Sequence, residues 1–359
     1  MKQNIVVHRP TDLSRGWAQG IVNHYAADAK VSDISIQSVS VGTSTRLRVL
    51  VNHDAPHIVP LRWFIKTPSL AMKSRIITAL PRLLHKEVHF YQSLSKESPV
   101  KLPHILAAQT RCCRGSTLVM SDLAESGVTP GQPDDALSLH QARQVIQQLA
   151  RFHAHYWNNR QLLQTHRWLS GFNNRAEHYM GNLLAVPLMK QGLKLAVNLV
   201  PTNLHKPALH YAANRHRITQ SLATGPQTLV HHDCHPGNLF WQDAQPGFLD
   251  WQLVRMGEGI GDVAYFLATS LKPDCRRDHE SELLNLYQES LTKHGVDEID
   301  DKSLYQRYRA HLVYAFEAMI VTLAVGGMME RSSNIELIKR TSAAINDHDS
   351  LAALSVGSY

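Results

Sequence analysis

Two neighbouring stretches, LVHHDCHPGNLFW (229–241) and GFLDWQ (247–252), decide how this chain is read. Four residues separate Asp233 from Asn238, and Asp250 lies 17 residues beyond Asp233. The apolar flanks Leu229-Val230, Leu239-Phe240-Trp241 and Phe248-Leu249 predict a strand–loop–strand hairpin. Such a hairpin would hold two carboxylates and an amide on one concave edge. Phosphoryl transfer from ATP needs those parts: a carboxylate to receive the hydroxyl proton, and hard oxygens to hold Mg2+ on the phosphates. The same stretch offers His231, His232, Asp233, Cys234 and His235 as zinc ligands. Consecutive side chains on an extended chain point to opposite faces, and no H-E-x-x-H motif stands elsewhere, so a zinc hydrolase is the weaker reading.

Upstream of the hairpin the texture changes. TDLSRGWAQGIVNHYAADA (11–29) predicts a helix capped by Thr11 or Asp12. The alternating, β-branched runs ISIQSVSV (34–41), TRLRVLV (45–51) and PLRWFIK (60–66) predict an antiparallel meander. A helix follows from about Ser69 to Ser95, broken or reset at Pro81, and then a short strand, STLVMSDL (116–123). After the polar loop ESGVTPGQPDD helical periodicity dominates, beginning with SLHQARQVIQQLARFHAHYW (138–157). The plan is α+β: a small β-rich lobe over 1–120, a linker near 121–136, and a larger helical lobe over 121–359, with a cleft between them as the place for a site.

Composition narrows the function classes. With 359 residues and 43% apolar side chains the chain can bury a core, which disfavours disorder. Four cysteines, two of them adjacent at Cys112 and Cys113, make no secreted disulfide framework, and the first residues, MKQNIVVHRPTD, do not read as a signal peptide. A soluble, cytoplasmic protein is expected. Leu312 to Met329 is an 18-residue, nearly all-apolar run close to a bilayer span, but it carries Glu317 and reads as a buried helix without membrane insertion. Net charge is +7, and residues 160–226 hold eight Lys and Arg against Glu177 alone. No zinc-finger spacing or RNP-like motif accompanies that charge, so no nucleic-acid partner is expected. No motif speaks to oligomeric state.

The order D-x-x-x-x-N followed by an apolar residue and Asp resembles the kinase catalytic loop and its metal aspartate. The wording HHDCHPGN…FLDWQ is similar to the aminoglycoside phosphotransferase and choline kinase-like superfamily, with His232 where that family carries glycine. LDWQLVRMGEGIGDVAYFLATSL (249–271) resembles the ecdysteroid kinase-like branch, and the likeness continues through EVHFYQSL (87–94), LVMSDL (118–123) and LARFHAHYW (149–157). GEGIGD (257–262) has the wrong spacing for a dinucleotide fingerprint.

The resemblance implies a protein-kinase-like, two-lobed fold and an ATP-dependent phosphotransferase. Asp233 would orient and deprotonate the acceptor hydroxyl, and Asn238 and Asp250 would hold Mg2+. Lys66 would reach the phosphates, with Glu87 fixing it. Gly42, Thr43, Ser44 and Thr45 would form the turn over the phosphates, and Met120 and Ser121 would meet adenine. His235 would brace the loop, and Asp262 would cap the helix beginning VAYFL. His153 and His155 read as packing or hydrogen-bonding histidines. D-W-Q in place of D-F-G, with no H-R-D or A-P-E motif, disfavours a protein kinase. A nucleotide-binding module without turnover is the alternative, because a Cβ at His232 is strained if that position needs positive φ. The cation excess of 160–226, with Trp168, Phe172, Tyr179 and LLAVPLM (183–189), points to a neutral or anionic hydroxylated acceptor, lipophilic alcohols included.

Overall fold

The computed structural model describes residues 4–71, 83–111, 114–169, 172–297 and 299–354. Pro81, Cys112, Cys113 and the side chains of Phe172 and Glu177 lie outside that description. The chain gathers into two compact units. One holds residues up to 98 with 102–130 and 249–252; the other holds 99–101, 131–248 and everything from 253 onward.

The first unit is a five-stranded antiparallel sheet with two described helices. Helix α1 (Arg15–Tyr25) is capped by Ser14, whose hydroxyl accepts the Trp17 N–H. Thr11 and Asp12 sit one turn earlier, in a 3-10 turn where the Asp12 carboxylate accepts the N–H groups of His8 and Arg9. Strands β1 (Val31–Val41), β2 (Ser44–His53) and β3 (Arg62–Pro68) form the meander read from the sequence. Helix α2 (Leu83–Ser93) leads to β4 (Ile105–Arg111) and β5 (Gly115–Ser121), and the sheet order is β1-β2-β3-β5-β4. Strand β4 escapes sequence reading because ILAAQTR sits at a sheet edge, half-buried along most of its length, with no clear alternation. Leu47, Val49, Trp63, Ile65 and Val119 bury one sheet face against Trp17, Ile21 and Val22 of α1. The β3 register sets Lys66 opposite Leu118 of β5 and Arg46 of β2, in the best-paired part of the sheet.

The second unit is mostly helical. Helix α3 (Leu139–His155) begins at a capping box formed by Ser138 and Gln141. After it come α4 (Gln161–Thr165), α5 (Phe172–Leu195) and α6 (Thr202–Leu222). Four short strands follow: β6 (Thr228–Val230), β7 (Leu239–Gln242), β8 (Gln245–Phe248) and β9 (Arg255–Gly257). The expected hairpin divides differently: β7 pairs with β8, whereas Leu229-Val230 pair with β9. Asp243 and Ala244 both take positive φ, which fits the two-residue turn that matches strand twist. Helices α7 (Gly259–Ser270), α8 (Pro273–Lys293), α9 (Asp301–Val325), α10 (Arg331–Asp347) and α11 (Ser350–Ala353) complete the unit.

Helix α9 contains most of the apolar run and is long and apolar enough to cross a membrane, yet over half of its apolar window is buried against α5, α7 and α10. Gly192 of α5 sits at the crossing, where a Cβ would run into the Ile320 carbonyl. Glu317 faces this core, and its carboxylate accepts from Arg215 Nε at 2.6 Å and from the Tyr211 hydroxyl at 2.7 Å. Arg215, one of the eight cations of 160–226, thus serves an internal pair. Arg215→Gln leaves the Glu317 carboxylate without its cation, at a cost of roughly 3–5 kcal/mol. A lower denaturant midpoint reads this, and adding Glu317→Gln recovers most of the loss. A single variant as stable as wild type would show that the pair is solvated.

Candidate active site

The first unit assembles three charges read from the sequence. Lys66, at the buried end of β3, donates from Nζ to Glu87 Oε1 at 2.8 Å and lies 3.3 Å from Asp250 Oδ1. Glu87 sits on α2, fully buried, and Gln252 Nε2 meets its second oxygen at 3.3 Å. Trp251 fixes the segment between them by stacking on Phe90 of α2, with ring centroids 4.1 Å apart and planes 10° apart. Asp250 takes φ +58, a left-handed conformation that aspartate tolerates better than most residues.

Two carboxylates thus share one ammonium in a buried place. Burial alone would lower the Lys66 ammonium, but Asp250 and Glu87 outweigh it and hold it above its ordinary value. Burial pushes the Glu87 carboxyl up to about 7, against the pull of Lys66 and with the help of Asp250. The lysine therefore stays charged, while the Glu87 carboxyl is held well above its ordinary value.

The GTST turn and the β5 residues have mixed placements. Gly42 and Thr43 form the tip between β1 and β2, and Ser69 Oγ donates to the Gly42 carbonyl. Ser44 and Thr45 are buried at the start of β2, where Thr45 Oγ1 accepts the Leu70 N–H. Met120 is buried in β5, and the Ser121 N–H is committed to the His104 carbonyl at 2.9 Å.

The second unit assembles the aspartate loop. Asn238 Nδ2 donates to the Asp233 carbonyl at 2.8 Å and to Asp233 Oδ2 at 3.0 Å. The hydroxyl of Tyr265 donates to Asp233 Oδ1 at 2.7 Å. His235 caps the one-turn helix 236–238 by accepting the Gly237 N–H on Nδ1, which fits a bracing role. His231 Nδ1 accepts the Asp233 N–H, and the buried Cys234 thiol points to the Asp262 carbonyl. These side chains therefore serve separate backbone partners. Among the described residues no three His, Cys, Asp or Glu side chains gather as a metal cage.

Asp262 departs from its expected role. Helix α7 starts at Gly259 with Glu258 in the cap position, so Asp262 already lies within it. Its carboxylate turns to the loop, where Oδ2 and Oδ1 accept the N–H groups of His231 and His232, both at 2.7 Å. His153 Nε2 approaches the same carboxylate at 3.2 Å while Nδ1 meets the Tyr287 hydroxyl, which makes His153 a hydrogen-bonding core residue. His232 takes φ +69, the positive value at which a Cβ is strained. Its ring stacks on Tyr314 at 4.0 Å, and the Tyr314 hydroxyl donates to its carbonyl. Gln252, Tyr265 and Tyr314 went unread in the sequence because no motif spacing marks them; only packing brings Gln252 to Glu87 in the first unit, and Tyr265 and Tyr314 to the aspartate loop in the second.

Residues 82–297, more than half of the chain, match the ecdysteroid kinase-like family. The chain belongs to that family. No curated protein matches it. Among solved structures, a choline kinase from Cryptosporidium parvum Iowa II is similar with a TM-score of 0.50 at 11% identity, covering 94% of this chain and 91% of that one. A Plasmodium vivax ethanolamine kinase is similar with a TM-score of 0.48 at 13% identity, covering 93% and 87%. A spectinomycin phosphotransferase in complex with ADP and spectinomycin has a TM-score of 0.48 at 11% identity, covering 95% and 100%. The fold is α+β and protein-kinase-like.

The raised Glu87 carboxyl has a consequence for stability. Between 4.5 and about 7 the folded protein holds a proton there that the unfolded chain has released. This contribution therefore falls as pH rises through that window. Measured as unfolding free energy, wild type loses stability relative to Glu87→Gln with rising pH, and the gap is widest at neutral pH. Parallel pH profiles for the two proteins would contradict the buried protonation.

Proposed function

We infer that the protein is an ATP-dependent phosphotransferase that moves the γ-phosphoryl group onto a hydroxyl of a neutral or anionic small molecule, lipophilic alcohols included. The observation that carries this reading is the Asp233 carboxylate, held by Asn238 on one oxygen and Tyr265 on the other, with part of its surface left to solvent. A carboxylate oxygen can accept more than one hydrogen bond, so Asp233 can receive an acceptor O–H. The acceptor oxygen then bonds to the γ-phosphorus, its proton passes to Asp233, and the bond to the departing ADP breaks.

Lys66, kept charged by Glu87 and Asp250, supplies a point charge for the phosphates. Asn238 of the second unit uses its amide nitrogen on Asp233 and so presents Oδ1 as an acceptor, a hard oxygen of the kind that Mg2+ takes; the Asp250 carboxylate of the first unit is a donor of the same kind. Bound there, Mg2+ would offset charge on the phosphates. The first unit is the nucleotide-binding lobe and the second the catalytic and acceptor-binding lobe. Residues 178–226 contain no Asp or Glu, and the nearby Glu317 carboxylate is already matched by Arg215, which disfavours a polycationic acceptor. Tyr179 and Leu183, exposed at 71% and 65%, add apolar surface to the same region.

Incubating metabolite extracts with protein, Mg2+ and γ-labelled ATP, and reading mass shifts, names the product class. Neutral alcohols that stay inert while kanamycin-type amines or choline are phosphorylated would overturn the acceptor reading. Nucleotide binding with no transfer to any extract would favour the alternative, a nucleotide-binding module; the left-handed His232 is the observation on its side. Asp233→Asn is expected to lower turnover by ~10²–10⁴ with nucleotide affinity nearly unchanged. Lys66→Ala weakens ATP binding or transfer and spares acceptor affinity, as separate titrations with nucleotide and acceptor would read. An effect on acceptor affinity alone would reverse the assignment of the two units.

A further inference from the structure

Tyr265 occupies a position that no motif singles out. It lies on α7 one turn beyond Asp262, so one helix face presents both a carboxylate to the loop backbone and a hydroxyl to the Asp233 side chain. The tyrosine is 1% exposed, which keeps it from touching a substrate. Its hydroxyl lies 2.7 Å from Asp233 Oδ1, while Asn238 Nδ2 lies 3.0 Å from Oδ2, so the carboxylate is gripped from both oxygens. Burial first, and the Asp233 charge second, push the Tyr265 hydroxyl well above its ordinary value, so it remains a donor. The Tyr314 ring, 5.6 Å away, backs the Tyr265 ring and leaves it little room to swing.

A carboxylate on a single-bonded stem has rotamer freedom of its own, and one donor on one oxygen still lets it pivot. Two donors on opposite oxygens fix both its torsions. In-line phosphoryl transfer draws most of its rate from positioning, so a base that pivots loses productive encounters without losing substrate affinity.

We propose that Tyr265 is a positioning residue for the transfer reaction, holding the Asp233 carboxylate in the orientation that receives the acceptor hydroxyl. This rests on the phosphotransferase reading above. Tyr265→Phe tests it, because it keeps the ring and removes only the hydroxyl. With the acceptor found in the extract screen, kcat is expected to fall about 10- to 100-fold, the worth of one hydrogen bond to a charged group, with KM for ATP and acceptor unchanged. In an Asp233→Asn background the same substitution costs nothing further, since the group it positions is already gone. A wild-type kcat in Tyr265→Phe, or an equal loss in both backgrounds, overturns the proposal.

A second measurement needs no turnover. In protein carrying carbon-13 in its aspartate carboxyls, the resonance that Asp233→Asn removes is expected to shift in Tyr265→Phe. It stays in place in Tyr308→Phe, which removes an equally buried hydroxyl next to Glu280. A resonance that does not move in Tyr265→Phe overturns the contact itself. Wild type that phosphorylates nothing, with the resonance shifting as expected, counts against the phosphotransferase reading and against any role of Tyr265 in transfer, and leaves the contact standing.

Discussion

The Asp262 carboxylate and the two N–H groups of His231 and His232 form the contact on which the rest of the second unit's site depends. The loop cannot hold itself. His232 sits at φ +69, which costs a non-glycine residue about 1–2 kcal/mol, and no regular strand continues past Val230. A hydrogen bond to a charged acceptor contributes about 1.5–3 kcal/mol, so two of them outweigh the strain. With the backbone of His231 and His232 pinned, the Asp233 N–H falls onto the His231 ring and the Asp233 side chain is delivered to Asn238 and Tyr265. Asp262 is in turn buried and approached by His153, which Tyr287 holds from the other ring nitrogen. Support thus runs from helices α3, α7 and α8 to one loop.

The two units treat buried charge differently. Around Glu317 the charges match: one guanidinium and one tyrosine hydroxyl meet one carboxylate, and the set locks α6 to α9. Around Lys66 two carboxylates, those of Glu87 and Asp250, approach one ammonium, and both help to keep it charged and aimed. The Glu87 carboxyl is nevertheless raised to about 7, by burial first, with Lys66 pulling it down and Asp250 adding to the rise.

Much of this was legible in the chain because chemistry and spacing coincide there. The strand runs 45–51 and 60–66 alternate cleanly, and they emerge as β2 and β3. Lys66 and Glu87 come together, as do Asp233 and Asn238, because strand end, helix face and tight loop each fix a direction for the side chain. What stayed hidden depends on tertiary neighbours. Pairing of Leu229-Val230 with β9 rather than with the following strand has no local signal, since both partners are short apolar pieces. Asp262 read as a cap because Asp near a helix start usually is one; only the loop packed over α7 gives its carboxylate better donors. Tyr265 and Tyr314 are ordinary buried aromatics in sequence, and their hydroxyls acquire meaning from what lies 3 Å or so away.

His232 stands where the resemblance read from the sequence implies glycine, and the packing shows how its side chain is accommodated. Glycine would adopt φ +69 without strain, but it would offer the Tyr314 ring no imidazole to stack on. The imidazole instead lies nearly parallel to that ring, 18° between planes, while the Tyr314 hydroxyl reaches around to the His232 carbonyl. The residue is therefore held on three sides: by Asp262 at its N–H, by the Tyr314 hydroxyl at its carbonyl, and by the Tyr314 ring at its side chain. Each hold acts on the residue immediately before Asp233. A strained backbone persists where its surroundings over-determine it, and here the over-determination comes from α7 and α9: Tyr265 of α7 meets the aspartate, and Tyr314 of α9 packs against Tyr265. Clamped in this way immediately before Asp233, the histidine helps to set the direction in which the loop arrives at the aspartate.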